Sequence, residues 1–295
     1  MKYIKFQDKK GTFTIQSPEN YSGLYFPLAG DGGLKSSITP NLGGDSKTDQ
    51  NHFLLEPVSI ENLHNNRSTR NFWCRIEGKG CWSATGISAE QELQKFTEAQ
   101  DKSILEAGFM WQKVTRTSAK YGLQSEITSF VDVDGAAEIE LVRIKNISEE
   151  VTKITPIAAI PLYGRSADNI RDHRHVTSLL HRINTTEYGV EVTPVLSFDE
   201  RGHQKNHTTY FVYGYSEKGD APEAFYPTVQ EFIGEGGTYL NPEAVRKNKP
   251  GRKAGSRAEG KEAMGGIRFA DVELKPQETA GFIILAGLTE KKESI

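Results

Sequence analysis

Leu123-Gln124-Ser125-Glu126-Ile127-Thr128-Ser129-Phe130-Val131 is followed by Asp132-Val133-Asp134-Gly135 and, two alanines later, by Glu138-Ile139-Glu140-Leu141-Val142-Arg143-Ile144-Lys145. The flanking runs are rich in β-branched and aromatic side chains. The Asp134-Gly135 step supplies the positive-φ position that a tight turn demands, so the stretch predicts a β-hairpin. Working outward, the same enrichment predicts strands at residues 12–16, 71–76, 151–160, 190–198, 208–215, 266–274 and 279–286. A second pairing is expected through Asn146-Ile147-Ser148-Glu149-Glu150. Leu274-Lys275-Pro276-Gln277-Glu278 separates the last two strands, its proline fixing the turn. Short runs bounded by Gly, Pro, Asn and Asp, with few helices among them, predict one all-β domain, a large antiparallel β-sandwich.

Composition removes several classes of function. The 36 Lys+Arg against 39 Asp+Glu leave a formal charge of -3, so no global field recruits nucleic acid or an anionic membrane. The start, Met1-Lys2-Tyr3-Ile4-Lys5-Phe6, holds no apolar run like a signal peptide, and no stretch approaches the ~18 residues of a membrane helix, so a cytoplasmic location is expected. Cys74 and Cys81 match neither a redox nor a zinc spacing, although a bridge across a hairpin stays open. There is no phosphate-cradling Gly-x-x-x-x-Gly-Lys-Ser/Thr, no dinucleotide Gly-x-Gly-x-x-Gly after a strand and no Gly-x-Ser-x-Gly elbow. Gly30-Asp31-Gly32-Gly33 and Leu42-Gly43-Gly44-Asp45 read as turns. The basic stretch 241–265, with Gly, Ala, Ser and Pro between its charges, reads as a solvated loop.

The densest polar constellation is Arg165-Ser166-Ala167-Asp168-Asn169-Ile170-Arg171-Asp172-His173-Arg174-His175. Arginine forks bind carboxylates, phosphates or vicinal hydroxyls, and Asp or Asn accept from sugar hydroxyls, so the mixture suits a hydrated polyol. The alternative is a surface loop whose charges pair among themselves. Asp168 and Asp172, four residues apart on a loop, have nothing to fix the carboxyl separation a glycosidase needs. His173 and His175 lack the third ligand of a catalytic zinc. A second polar run, residues 61–73, carries Trp73, which could stack on a sugar ring or belong to the core.

Tyr25-Phe26-Pro27-Leu28, Thr39-Pro40-Asn41-Leu42-Gly43-Gly44-Asp45, Asn71-Phe72-Trp73, the 168–175 loop and Phe198-Asp199-Glu200-Arg201-Gly202-His203-Gln204 occur in an order that resembles the N-terminal sandwich of the inverting β-glucoside phosphorylases. That family includes the cellobiose, cellodextrin and chitobiose enzymes, and the similarity points to its 1,2-β-oligoglucan phosphorylase branch. The resemblance implies a galactose-mutarotase-like super-sandwich over residues 1–288, with 289–295 opening a linker to an (α/α)6 barrel. In the family the general acid and the phosphate-binding residues lie on that barrel, so no catalytic residue carries over. Inorganic phosphate is the co-substrate, no organic cofactor or metal is expected, and a β-linked gluco-oligosaccharide and a homodimer partner are. By the same resemblance Asp168, Asn169, Arg171, Asp172, His173 and Arg174 contact the acceptor sugar, with Trp73 as a wall. The competing expectation is a free-standing carbohydrate-binding module.

Overall fold

The computed structural model describes residues 4–21, 23–59, 69–172, 174–199 and 202–290. The predicted hairpin is present: Leu123–Val131 pairs with Ala137–Asn146, Val131 opposite Glu138, and Asp132 N donates to Ala137 O at 2.8 Å. The Gly30–Gly33 turn packs on that hairpin turn, with Gly32 N donating to Val133 O at 2.9 Å. A Cβ on Gly32 would sit 2.4 Å from Gly135 O, so the close approach requires glycine.

Every strand pairing among the described residues is antiparallel. The larger sheet runs Ile4–Phe6, Phe13–Gln16, Lys102–Gly108, Trp111–Ser118, Leu123–Val131, Ala137–Asn146, Thr279–Glu290, Thr208–Ser216, Gly189–Val192, Arg182–Thr185 and Arg257–Glu259. The facing sheet runs Ala224–Thr228, Ala263–Arg268, Thr152–Leu162, Asn71–Ile76 and Gly80–Ser83, with Val272–Leu274 also on Thr152–Leu162. Phe72, Ile76 and Ile154 of the second sheet, with Phe269 just beyond its strand Ala263–Arg268, meet Ile127, Val142, Ile144 and Phe282 of the first to form the main core. A small sheet of Phe26–Ala29, Lys35–Ile38, Ser46–Asp49 and His52–Phe53 closes one end.

The sequence reading needs correction at five places, one of them the run 266–274, which divides into Ala263–Arg268 and Val272–Leu274. Residues 146–150 do not make a hairpin. Asn146 is buried, donates to Glu150 O at 2.7 Å and Leu274 O at 2.8 Å, and so carries the chain from the larger sheet into the facing one. The turn at 274–278 crosses back the other way. The run 190–198 divides at Pro194, which lacks the N–H a continuous strand would donate, into Gly189–Val192 and Leu196–Asp199. Finally, the basic stretch 241–265 is not simply a solvated loop. Helix Glu243–Arg246 and helix Val229–Ile233 cover the outer face of the second sheet, and Ala244, Val245 and Met264 are buried there. The charges that flank them pair outward: Lys247 and Lys249 with Glu243, and Arg252 with Glu231 at 2.8 Å.

That second core also holds Trp73, only 2% exposed among Ile157, Tyr226 and Met264. Cys74 and Cys81 are both free, because the register sets Cys74 opposite Trp82 and Cys81 opposite Arg75. Among the described residues no helix is long and apolar enough to cross a membrane.

Candidate functional site

Where Thr152–Leu162 leaves its sheet, the chain is zipped along the small sheet. Tyr163 N donates to Leu54 O at 2.8 Å, Gly164 N to Phe53 O at 3.0 Å, Phe53 N to Arg165 O at 2.9 Å and Ala167 N to Gln50 O at 2.8 Å. This alignment buries Arg165, whose guanidinium lies 5.2 Å from the Tyr163 ring centroid, and launches the 3-10 turn Ala167–Arg171. Asn169 points inward and caps its own turn, its Nδ2 donating to Asp172 Oδ2 at 2.9 Å.

Opposite this turn stands the hairpin of Leu196–Asp199 and Gly202–Lys205. Its base is tied by Asn206, whose Nδ2 donates to Pro194 O at 2.8 Å and Thr208 O at 2.7 Å. Between Ser166, at the head of the turn, and the hairpin lies a cleft of about 210 Å³ lined by Asn51, His52, Ser166, Ser197, Gln204 and Asn206, and equally by Lys205, His207 and Glu290. A narrow extension reaches Arg165, Asn169, His181 and Tyr210.

In the narrow extension the electrostatics favour uncharged hydrogen-bonding partners, while Lys205 and Glu290 bring one charge of each sign to the cleft itself. His181 is fully buried and its Nδ1 lies 3.1 Å from Lys261 O, so Nδ1 carries the proton; Nε2 has no partner. Burial, reinforced by the Arg165 charge, pushes its pKa down to about 3, and the ring is neutral at any physiological pH. At the mouth, burial works against the Asp49 carboxylate. Hydrogen bonds from His52, at 2.9 Å, and from Asn51 prevail and hold it below its usual range. Amides, hydroxyls and a neutral imidazole offer both donors and acceptors, the pattern a sugar's hydroxyls require. The carboxyl driven well above its ordinary pKa is elsewhere. Glu140 is raised by burial and then by Glu138, against the pull of Arg70, and is sealed in the sandwich interior rather than facing the cleft. No group of three or more His, Cys, Asp or Glu among the described residues is placed to hold a metal.

The predicted residues divide accordingly. Asn169 lines the cleft's extension, while Asp168, Arg171 and Asp172 are exposed on the turn beside it and do not line it. His173 lies outside the described residues, as does the 61–68 part of the second polar run; Arg174 opens helix Arg174–Ser178. Trp73 is withdrawn as a sugar wall, because helices Val229–Ile233 and Glu243–Arg246 cover the face it would offer. Asn51, Ser197, Asn206 and His207 were missed, since single polar residues on separate segments leave no spacing to read.

The comparisons with known proteins agree with this architecture. The sequence family described as glycosyl hydrolase 94, supersandwich domain, matches residues 30–295. No curated protein matches the chain. Among solved structures, a bacterial glucoamylase complexed with acarbose is similar at 9% identity and TM-score 0.50 over 92% of this chain and 33% of that one. A putative aldose 1-epimerase from Escherichia coli K12 is similar at 9% identity and TM-score 0.43 over 91% of this chain and 99% of that one. A polysaccharide lyase gives 10% identity and TM-score 0.43 over 88% and 33%. The chain thus spans about a third of the glucoamylase's length.

Proposed function

We propose, because the chain belongs to the glycosyl hydrolase 94 supersandwich-domain family, that it is the non-catalytic sandwich of an inverting β-glucan phosphorylase. It brings acceptor-sugar contacts and a packing face to a catalytic (α/α)6 barrel. In the whole reaction an oxygen of inorganic phosphate attacks the anomeric carbon with inversion. The glycosidic C–O bond breaks as a carboxylic acid protonates the departing sugar oxygen, and α-glucose 1-phosphate is released. The acid and the phosphate site belong to the barrel; the sandwich, residues 1–288, supplies the sugar contacts.

The observation that supports this reading is a polar cleft lined by the 196–205 hairpin and by Ser166 at the head of the Ala167–Arg171 turn, with Asn169 in its narrow extension. A second feature supports the packing role. Trp111, Phe130, Ile139, Leu285 and Tyr213 stand opposite one another in a single row across five neighbouring strands, on the face of the larger sheet turned away from the core. Each is part-exposed. A sheet face that meets only water is polar; an apolar row of this kind suits a surface covered by a barrel or by a second subunit.

The test is an enzyme reconstituted from this chain and a family barrel. Arg171→Ala and His173→Ala are expected to raise the KM for the acceptor sugar about tenfold or more while leaving the KM for phosphate unchanged. If neither variant alters acceptor handling, the turn is a structural element and the acceptor-site reading fails.

A further inference from the structure

A second opening, sharing no residue with the cleft, lies on the side of the molecule where the N-terminal segment crosses the larger sheet. It is a groove of about 450 Å³ between the turns 18–21 and 39–43, with the segment 87–96 across its end. Both turns are held by buried charge. Arg70, 1% exposed, forms an ion pair with Glu138 and donates from Nη1 to Gly43 O at 3.2 Å and from Nη2 to Asp45 O at 3.2 Å. Gln112 Nε2 adds a bond to Thr39 O at 3.1 Å. On the other wall the side chain of Glu19 is only 4% exposed. It accepts from Ser103 Oγ, from Gln100 Nε2 at 3.2 Å and from Arg116 Nη1 at 3.4 Å. Arg116 is itself buried, and its Nε and Nη2 have no partner.

Non-glycine residues in the left-handed region stand along these same walls: Ser17 at φ 48°, Leu42 at 62° and Phe96 at 61°. Such conformations are costly and persist where the surroundings impose them. Phe96 is the most telling. Its N donates to Gln100 Oε1 at 2.7 Å, and yet its ring is 77% exposed at the groove's edge. A fold that spends buried ions and backbone strain to fix two facing turns, and leaves an aromatic ring standing in solvent between them, has pre-organised a site.

The charges define the ligand. Glu19 is paired with Arg116 and Glu92 with Lys95 at 2.8 Å, so the groove offers no unbalanced charge to an ionic ligand. What it offers is the Phe96 face together with the amides of Asn20 and Asn41 and the hydroxyl of Thr69, while the Thr39 hydroxyl is buried and accepts from Gly43 N at 3.0 Å. An aromatic face flanked by amides and a hydroxyl fits a neutral pyranose. We propose that the groove is a second sugar subsite, seating a neutral hexose unit of a glucan with its ring face on Phe96. The choice of glucan rests on the proposed function; the capacity to seat a neutral sugar does not.

The test is a titration of the whole chain with β-1,2- and β-1,4-linked glucose tetramers and a β-linked mannose tetramer, by calorimetry and by amide chemical shifts. Phe96→Ala and Asn41→Ala are expected to weaken glucan binding about tenfold, with Phe96→Tyr restoring it and Gln204→Ala leaving this phase unchanged. Phe96 and Asn41 are at the surface, and an unchanged far-UV and near-UV spectrum certifies the fold of each variant. Binding abolished by Gln204→Ala alone would overturn the groove and spare the cleft. Mannan binding at the groove without glucan binding would uphold the sugar site and contradict its glucan occupant. Absence of any saturable shift at residues 18–21, 39–43 or 96 with all three sugars would overturn the proposal.

Discussion

The groove and the cleft open from one sandwich, yet their walls hang from different chemistry. Along the groove, backbone carbonyls of residues 42–45 converge on the buried Arg70 guanidinium, which two glutamates hold from behind. Along the cleft, the loops are tied by neutral amides: Asn169 to Asp172, and Asn206 to the carbonyls of Pro194 and Thr208. A buried ion pair contributes little net stability against a well-packed apolar alternative, but it punishes any displacement of a partner severely. Amide bonds near the surface can be exchanged for water at small cost. The difference teaches that the groove's walls are fixed by buried charge, whereas the cleft's loops can adjust at small cost.

The largest expected effect breaks the comparison on the groove side. Arg70→Ala leaves Glu138 buried without its counter-charge and orphans several carbonyls, and should cost about 3–5 kcal/mol in the denaturation midpoint. Arg70→Met with Glu138→Leu should recover only part of that loss, because the carbonyls of 42–45 remain unsatisfied. On the cleft side Asn206→Ala should cost only about 1–3 kcal/mol, with faster amide hydrogen exchange confined to residues 196–208. Equal costs for the two single variants would erase the distinction.

Smaller effects sharpen the same contrast through pH. His181, at the cleft, has a folded pKa of about 3 against an ordinary value of 6.5, so between those values the unfolded chain binds the extra proton. Stability should therefore be intact above pH 6.5 and fall as pH drops towards 3, by at most about 1.4 kcal/mol per pH unit. Glu140, beside the groove's arginine, works in the opposite sense. Its folded pKa is raised, so its contribution is full below its ordinary value of 4.5 and is lost as pH climbs through the raised one. Melting temperature measured against pH should lose its acid-side slope in His181→Gln and its alkaline-side slope in Glu140→Gln. Unchanged slopes would mean that neither group is buried as described.

Much of the sandwich was legible because its central strands announce themselves in β-branched and aromatic runs. Leu123–Val131 and Asn71–Ile76 fall where the sequence places them, residue for residue. Lys102–Gly108 and Trp111–Ser118 escaped notice. Their inward positions include Ser103, Gln112 and Arg116, which serve the polar clusters behind the groove and carry no apolar signature. The sheet to which Thr152–Leu162 belongs was hidden for the opposite reason. It is buried on both faces, by the main core and by the helices over Trp73, so no alternation shows which side its neighbours take. At the site, the 165–175 run was visible as a density of charge. Its position beside residues 196–205 was not legible, because three separate segments meet there only after folding.

The account's central claim is that sugar contacts reside in this chain and catalysis does not. Phosphate release from α-glucose 1-phosphate, with sophorose or cellobiose as acceptor, tests it most directly when the purified chain is compared with the same chain plus a family (α/α)6 barrel. The expected result is no release from the chain alone and release once the barrel is supplied. Release proportional to the concentration of this chain by itself would contradict the claim and place the catalytic groups within these 295 residues.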